Sequence, residues 1–372
     1  MRGYWQKRPL VVRQAFPRFD GIIGRDAFLE LATRPHATSR LVIQHPGRRR
    51  GRWERHDGPF GGLDAGMLPE RNWTLLVNSV ESLVPGGWEI LNAFSFIPAA
   101  RVDDLMVSYA ADGGSVGPHD DLYDVFLLQG PGRRRWQIST GGDRAADPDA
   151  AIKVLKSFVP EEEWLLEPGD MLYLPPGVAH LGIAEGPCFT YSIGFLAPTH
   201  AELVENFLGY VGAARAAATD PTRRYQDPDL RVPLRAHDLG AGMIDRVAAV
   251  VSDLRWDKAD VADFLGRFLT RPKPSMVFKA PRRPLPMDAF ARRLIGRRGR
   301  LTLALPTRGL IHMGCLFVNG DARPIGRASM PFFRLLFEQR AVALPLARDT
   351  IANERTLGLL YELYAGGGLA LR

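Results

Sequence analysis

The stretch GGSVGPHDDLYDVFLLQGPGRRRW (113–136), followed by PGDMLYLPPGVAH (168–180), decides how the chain is expected to fold. Its apolar run YDVFLLQG (123–130) and the run RRRWQIST (133–140) are separated by Gly-Pro-Gly, which predicts two strands joined as a hairpin. Outward from there, LMVSYA (105–110), Trp164–Leu166, Met171–Leu174 and Phe189–Phe195 read as further strands. Short strands punctuated by Gly and Pro at this frequency predict a mainly β domain with added helices, a double-sheet jelly roll or cupin, that is, a double-stranded β-helix.

Upstream, KRPLVV (7–12) and LVIQH (41–45) are predicted strands and GRDAFLELAT (24–33) a helix. GRRRGRWER (47–55) is read as a solvated loop or hairpin tip, with a nucleic-acid patch as the alternative. PERNWTLLVNSVESLVPGGWEILNAF (69–94) has an apolar spacing compatible with a helix and a Pro-Gly-Gly stop. Composition changes at Pro198: THAELVENFLGYVGAARAAA (199–218), GMIDRVAAVVSDLRW (242–256) and KADVADFLGRFLT (258–270) are amphipathic helices, too few to bury their apolar faces alone. They are expected to pack on the sandwich or to dimerise, and dimerisation is preferred. A proline-rich linker (272–286) leads to a short helix (287–295), strands around Leu301–Leu305, Leu310–His312 and Cys315–Val318, an Asn319-Gly320 turn, and helices at 330–338 and 350–364, together a winged-helix-like arrangement. The expected units are therefore 1–198, 199–271 and 272–372.

With 372 residues the chain is expected to hold two or three domains. The start, MRGYWQKRPLVVRQAF, has no apolar signal core, and no window of about eighteen apolar residues follows, so a cytoplasmic protein without membrane contact is expected. Cys188 and Cys315 are the two cysteines, which argues against a disulfide framework or a structural zinc. Net charge is +7, with 18 Lys/Arg against 6 Asp/Glu from Arg271 onward, so the rest of the chain is acidic. A basic end on an acidic body fits contact with rRNA or a nucleoprotein, or simply a solvated basic surface.

His119 and Asp121 stand two apart where the glycine turn enters a strand, so both side chains face one way. His180 closes a Pro-Pro-Gly turn after a buried strand. Two imidazoles and a carboxylate occupying one face of an octahedral ion leave the other face open, the pattern of non-haem Fe(II) oxygenases. A zinc hydrolase competes, but no HExxH supplies its base. In RRRW (133–136) alternation puts Arg134 and Trp136 on one face and Arg133 and Arg135 on the other, so at least one arginine enters a pocket or faces the core. A buried guanidinium calls for an anion, and the distal carboxylate of a 2-oxoglutarate co-substrate would provide one. Ser108 and Ser192, on strands expected to face inward, could add hydroxyl donors. Asp103, Asp104, Asp112 and Asp120 gather around the glycine turn, as receivers of a cationic side chain or as solvated loop carboxylates.

DDLMVSYAADGGSVGPHDDLYDVFLLQGPGRRRWQI (103–138), EPGDMLYLPPGVAHLG (167–182), YSIGFLAP (191–198) and DPDLRVPLRAH (227–237) resemble the bacterial JmjC-type ribosomal oxygenases, 2-oxoglutarate-dependent arginine 3-hydroxylases of large-subunit ribosomal protein sixteen. The resemblance covers most of the chain and implies a JmjC sandwich, a helical dimerisation region and a winged-helix-like end. It implies Fe(II) held by His119, Asp121 and His180, 2-oxoglutarate anchored by Arg134 with Ser108 and Ser192 nearby, dioxygen as co-substrate, and a homodimer acting on a ribosomal protein. Asp112, Asp120 and Tyr123 are the expected substrate contacts. Eukaryotic histidine-hydroxylating relatives carry lysine at the anchoring position, so Arg134 favours the bacterial branch; Asp120 departs from the apolar residue often found within the HxD. The competing expectations are histidyl hydroxylation or lysyl demethylation of another protein, and a non-catalytic, cupin-like DNA-binding regulator.

Overall fold

The computed structural model describes residues 2–48, 52–62, 68–231, 235–296 and 298–372. Residues 49–51 of the arginine-rich run and 232–234 of the segment 227–237 lie outside the described residues. The first half builds β1 (Leu10–Val12), α1 (Arg25–Leu31), β2 (Ser39–Gln44), β3 (Trp53–Asp57), β4 (Trp73–Val77), α2 (Gly87–Asn92), β5 (Val102–Ala110), β6 (His119–Asp120), β7 (Val125–Gln129), β8 (Arg133–Ser139), β9 (Glu162–Leu166), β10 (Met171–Leu174), β11 (Ala179–Glu185) and β12 (Cys188–Phe195). They form an eight-stranded sheet in the order β1-β10-β7-β12-β5-β4-β2-β3 and a four-stranded sheet in the order β6-β11-β8-β9.

The eight-stranded sheet is covered on both faces. Leu105, Val107 and Tyr109 of β5 and Phe189, Tyr191, Ile193 and Phe195 of β12 point away from the smaller sheet into the largest core, which α1, α2 and Phe94 close. The intervening Met106, Ser108, Thr190 and Ser192 point between the sheets. A smaller apolar cluster, Val125, Leu127, Trp136, Ile138, Leu166, Leu172 and Leu174, joins the two sheets at one end.

Two sequence expectations change. Trp73–Val77 is a strand between β2 and β5, not part of a helix, and the helix begins at the second glycine of Pro-Gly-Gly instead of stopping there. The run TLLV shows no period-two signal because both faces of β4 are buried, Thr74 and Leu76 toward the cavity and Leu75 and Val77 toward the outer core. At Gly87 a Cβ would lie 2.6 Å from Glu81 Cα, so glycine lets the helix start close against the preceding turn. Second, β7 and β8 are not a hairpin: β7 pairs with β10 and β12, and β8 with β9 and β11. Gly-Pro-Gly is the corner at which the chain leaves one sheet for the other, and Gly132 (φ +84°) passes where a Cβ would meet Pro187 O at 2.2 Å.

Beyond the sandwich, α3 (His200–Ala218) starts with a capping box between Thr199 and Glu202, and α4 (Ala241–Ser252) follows. Leu208, Ile244 and Val250 are exposed on this pair. α5 (Lys258–Thr270) packs on α3, where the Tyr210 hydroxyl donates to Asp263 at 2.8 Å, and also on the last part of the chain: Thr270 Oγ1 accepts from Gly320 N at 3.1 Å, and the Phe317 ring lies against Gly266. That part comprises α6 (Met287–Gly296), β13 (Gly299–Leu303), β14 (Gly309–His312), β15 (Cys315–Val318), β16 (Asp321–Pro324), α7 (Met330–Gln339), β17 (Ala341–Leu344), α8 (Arg348–Ala352), α9 (Glu354–Ala365) and β18 (Leu369–Leu371). Asn319 and Gly320, both at positive φ, make the two-residue turn between β15 and β16. The helix expected over 350–364 is divided at Asn353, whose side chain accepts from Thr356 N and caps α9. Arg308 of this C-terminal part reaches the sandwich and pairs with the buried Glu81 at 3.1 Å. Among the described residues no helix is long and apolar enough to cross a membrane.

Candidate active site

His119 lies on β6 and His180 on β11, directly opposite each other in the antiparallel ladder, which sets their rings 4.2 Å apart. Asp121 leaves the end of β6; its carbonyl accepts from Gly177 N at 2.7 Å, so the Pro-Pro-Gly turn fixes its position, and its carboxylate lies 3.7 Å from His180 Nε2. Ligand atoms of His119, Asp121 and His180 all fall within 4.8 Å of one another. Each imidazole spends Nδ1 on a backbone carbonyl, His119 on Gly117 O at 2.9 Å and His180 on Val178 O at 3.0 Å. With Nδ1–H donating there, each Nε2 keeps its lone pair for a metal, and that of His180 lies beside the Asp121 carboxylate. Burial, reinforced by the neighbouring His119, pushes His180 down to about 4 against the opposing pull of Asp121, so His180 is a neutral donor at ordinary pH.

A cavity of about 140 Å³ between the sheets connects these ligands with Arg134, Trp136, Thr74, Ser108, Thr190 and Ser192. Of the two faces that strand alternation separates, the one with Arg134 and Trp136 is buried, and the Arg134 guanidinium carbon lies 5.6 Å from the Trp136 ring centroid. Arg133 is exposed and Arg135 turns to Glu163 and Glu185. Among the described residues no carboxylate pairs with Arg134, and its Nε, the Trp136 Nε1 and the hydroxyls of Thr74 and Thr190 are buried without partners. Unmatched donors converging on a small cavity suit a compact, oxygen-rich anion such as a dicarboxylate.

The expected substrate contacts divide. Tyr123 stands at the mouth, its hydroxyl raised above the usual phenol range by desolvation and then by the charges of Asp121 and Asp104. Asp112 and Asp120 are not brought into the cavity. Asp112 holds Arg71 at 2.7 Å and Gly186 N at 2.8 Å, and Asp120, which stands between His119 and Asp121 in the chain, faces the other side of β6 and pairs with Lys153 at 3.1 Å. The mouth takes its carboxylates from Asp103 and Asp104 at the start of β5 instead. Asp104 is buried and accepts from Ser79 N at 3.1 Å. A Cβ at Gly194 would be 3.7 Å from Asp104 Oδ1 and 3.9 Å from the Tyr123 ring, so these two residues flank that glycine. Asn78 also lines the mouth, and no sequence motif singled it out.

Residues 89–203 match the JmjC domain and residues 253–370 the ROXA-like winged helix. The ribosomal protein uL16 3-hydroxylase of Escherichia coli is 33% identical over 99% of this chain and 95% of its own length. The chain belongs to the JmjC ribosomal oxygenases. A probable ribosomal oxygenase of Haemophilus influenzae is 37% identical over 62% of this chain and 54% of its own length. The structure of YcfD, a ribosomal oxygenase from Escherichia coli, in complex with cobalt and 2-oxoglutarate superposes at TM-score 0.80 with 29% identity, covering 100% of this chain and 96% of that one. The double-stranded β-helix with a C-terminal winged helix is thus the architecture of this JmjC family member.

Proposed function

We propose that this chain is an Fe(II)- and 2-oxoglutarate-dependent protein hydroxylase whose target is an arginine side chain of a large-subunit ribosomal protein. One observation carries it: a single cavity presents two histidines and a carboxylate and, deeper between the sheets, a buried guanidinium that no carboxylate among the described residues neutralises. In this proposal His119, Asp121 and His180 hold the iron, and Arg134 binds the distal carboxylate of 2-oxoglutarate with hydroxyls such as those of Ser108 and Ser192 nearby. When bound, iron and 2-oxoglutarate supply the oxidation, in which one oxygen atom of dioxygen enters a C–H bond and the other leaves in succinate as carbon dioxide is lost. The chain's own residues orient and shield: the paired Nδ1–H···O=C bonds aim the imidazoles, and the closed end of the sandwich excludes water from Arg134.

The acidic mouth formed by Asp103 and Asp104 beside Tyr123 supports a cationic target side chain. Division into a catalytic part (1–198), a dimerising helical part (199–271) and a basic part (272–372) rests on the exposed apolar face of α3 and α4, which a second copy would cover, and on the charge excess after Arg271, which fits rRNA contact during cytoplasmic action on ribosomal protein. The test is incubation with iron, 2-oxoglutarate and purified ribosomal protein, reading succinate together with fragment masses. The expected product is an arginine carrying one added oxygen; oxygen on a histidine, or loss of a lysine methyl group, replaces the substrate assignment, and absence of succinate removes the enzymatic one.

A further inference from the structure

Lys273 belongs to the proline-rich segment that leads into the C-terminal part of the chain, yet its ammonium sits on two carboxylates that line the cavity. Nζ lies 2.9 Å from Asp103 Oδ1 and 3.3 Å from Asp104 Oδ2. These are the two mouth carboxylates besides the candidate ligand Asp121, and Asp104 has only 9% of its side chain exposed. Burial alone would depress the lysine, but Asp104 and Asp103 together hold it above its ordinary range, so it is a full positive charge. Arg308 braces the same place from the C-terminal part, donating to Val102 O and Asp103 O, but its carboxylate partner is Glu81, outside the cavity. Lys273 is therefore the one cation seated on the mouth carboxylates among the described residues.

We infer that Lys273 is an internal competitor for the substrate's cationic side chain: its ammonium occupies the Asp103–Asp104 pair between turnovers, and the incoming guanidinium must displace it. This rests on the proposed arginine substrate. A purely structural alternative makes Lys273 a strut between the sandwich and the C-terminal part. The two differ in what they do to charge. A competitor weakens binding of a cationic side chain and leaves a neutral isostere untouched, because only the cation needs the carboxylates. A strut affects both ligands alike.

The experiment uses full-length, metal-free protein and two fluorescent peptides that differ only in having arginine or citrulline at the centre, with binding read by anisotropy. Lys273→Met keeps the length of the side chain and removes its charge; Lys273→Arg keeps the charge. Lys273→Met should bind the arginine peptide about two- to fivefold more tightly than wild type, the range expected for a partly exposed ion pair. Its affinity for the citrulline peptide should be unchanged, and Lys273→Arg should resemble wild type with both. In the iron-loaded enzyme the same factor should appear in KM for the peptide with kcat unaltered. Equal or weaker binding of the arginine peptide by Lys273→Met, or a parallel change with citrulline, overturns the inference. If wild type binds neither peptide, or prefers citrulline, the arginine-substrate proposal fails first and the inference with it.

Discussion

The two faces of the eight-stranded sheet are built from the same strands and do opposite work. Along β12, Phe189, Tyr191, Ile193 and Phe195 enter the aromatic core, whereas Thr190, Ser192 and Gly194 line the cavity. Along β5, Leu105, Val107 and Tyr109 alternate with Asp104, Met106 and Ser108 in the same way. Alternation of this kind usually separates core from water. Here it separates core from active site, and stability is lodged on the outer face while the space between the sheets stays polar enough to bind. A sandwich whose main core lies outside the sandwich can spend its interior on chemistry.

The comparison is sharpened most by removing a candidate metal ligand. Asp121→Ala should lower succinate formation by at least about a thousandfold, since one face of the ion loses its only anionic donor, while the thermal midpoint moves little. Neighbours on opposite faces give the next contrast. Ile193 is fully buried in the outer core, and Ile193→Ala should cost about 2–5 kcal/mol in denaturant unfolding, against under about 0.5 kcal/mol for Ser192→Ala on the cavity side. Equal costs would break the division between the faces.

Acidity probes the cavity side alone. His180 is held at about 4 in the fold against an ordinary value of 6.5, so between those values the unfolded chain binds a proton that the folded chain refuses. The stability of metal-free protein should be steady above pH 6.5 and decline as pH falls toward 4, by roughly 2–3 kcal/mol for this group, with His180→Gln showing the smaller decline in chemical denaturation. The last probe is the proposed anchor. Arg134→Met should raise KM for 2-oxoglutarate by about 10- to 100-fold through loss of a charge-assisted bond, yet leave the protein as stable as wild type or more so, because a buried charge with no carboxylate partner among the described residues has been removed. A destabilised Arg134→Met with unchanged KM would assign that guanidinium to the core.

Local pattern was enough for the parts governed by local rules. His-x-Asp at 119–121 puts two side chains on one side of any extended segment, alternation in RRRW turns Arg134 with Trp136, and α5 follows the apolar period of 258–270 end to end. Asn-Gly at 319–320 marks its turn because both residues accept positive φ. The failures share a cause. TLLV lost its period because a doubly covered strand needs apolar residues on both faces, and Gly-Pro-Gly cannot announce whether the strands it joins will pair or part. Asp112 and Asp104 look alike in sequence, but one is tied to Arg71 and the other lines the mouth.

What the sequence by itself determined is therefore the kind of chemistry: two imidazoles, a carboxylate and an inward arginine, each set by spacing along one or two strands. What only the tertiary structure decided is where those groups meet and what competes for the mouth. The register of β6 against β11 brings His119 to His180, and the return of the chain after α5 lays Lys273 on Asp103 and Asp104. Both are contacts across long stretches of chain, set by how sheets pair and pack, and no local propensity encodes them.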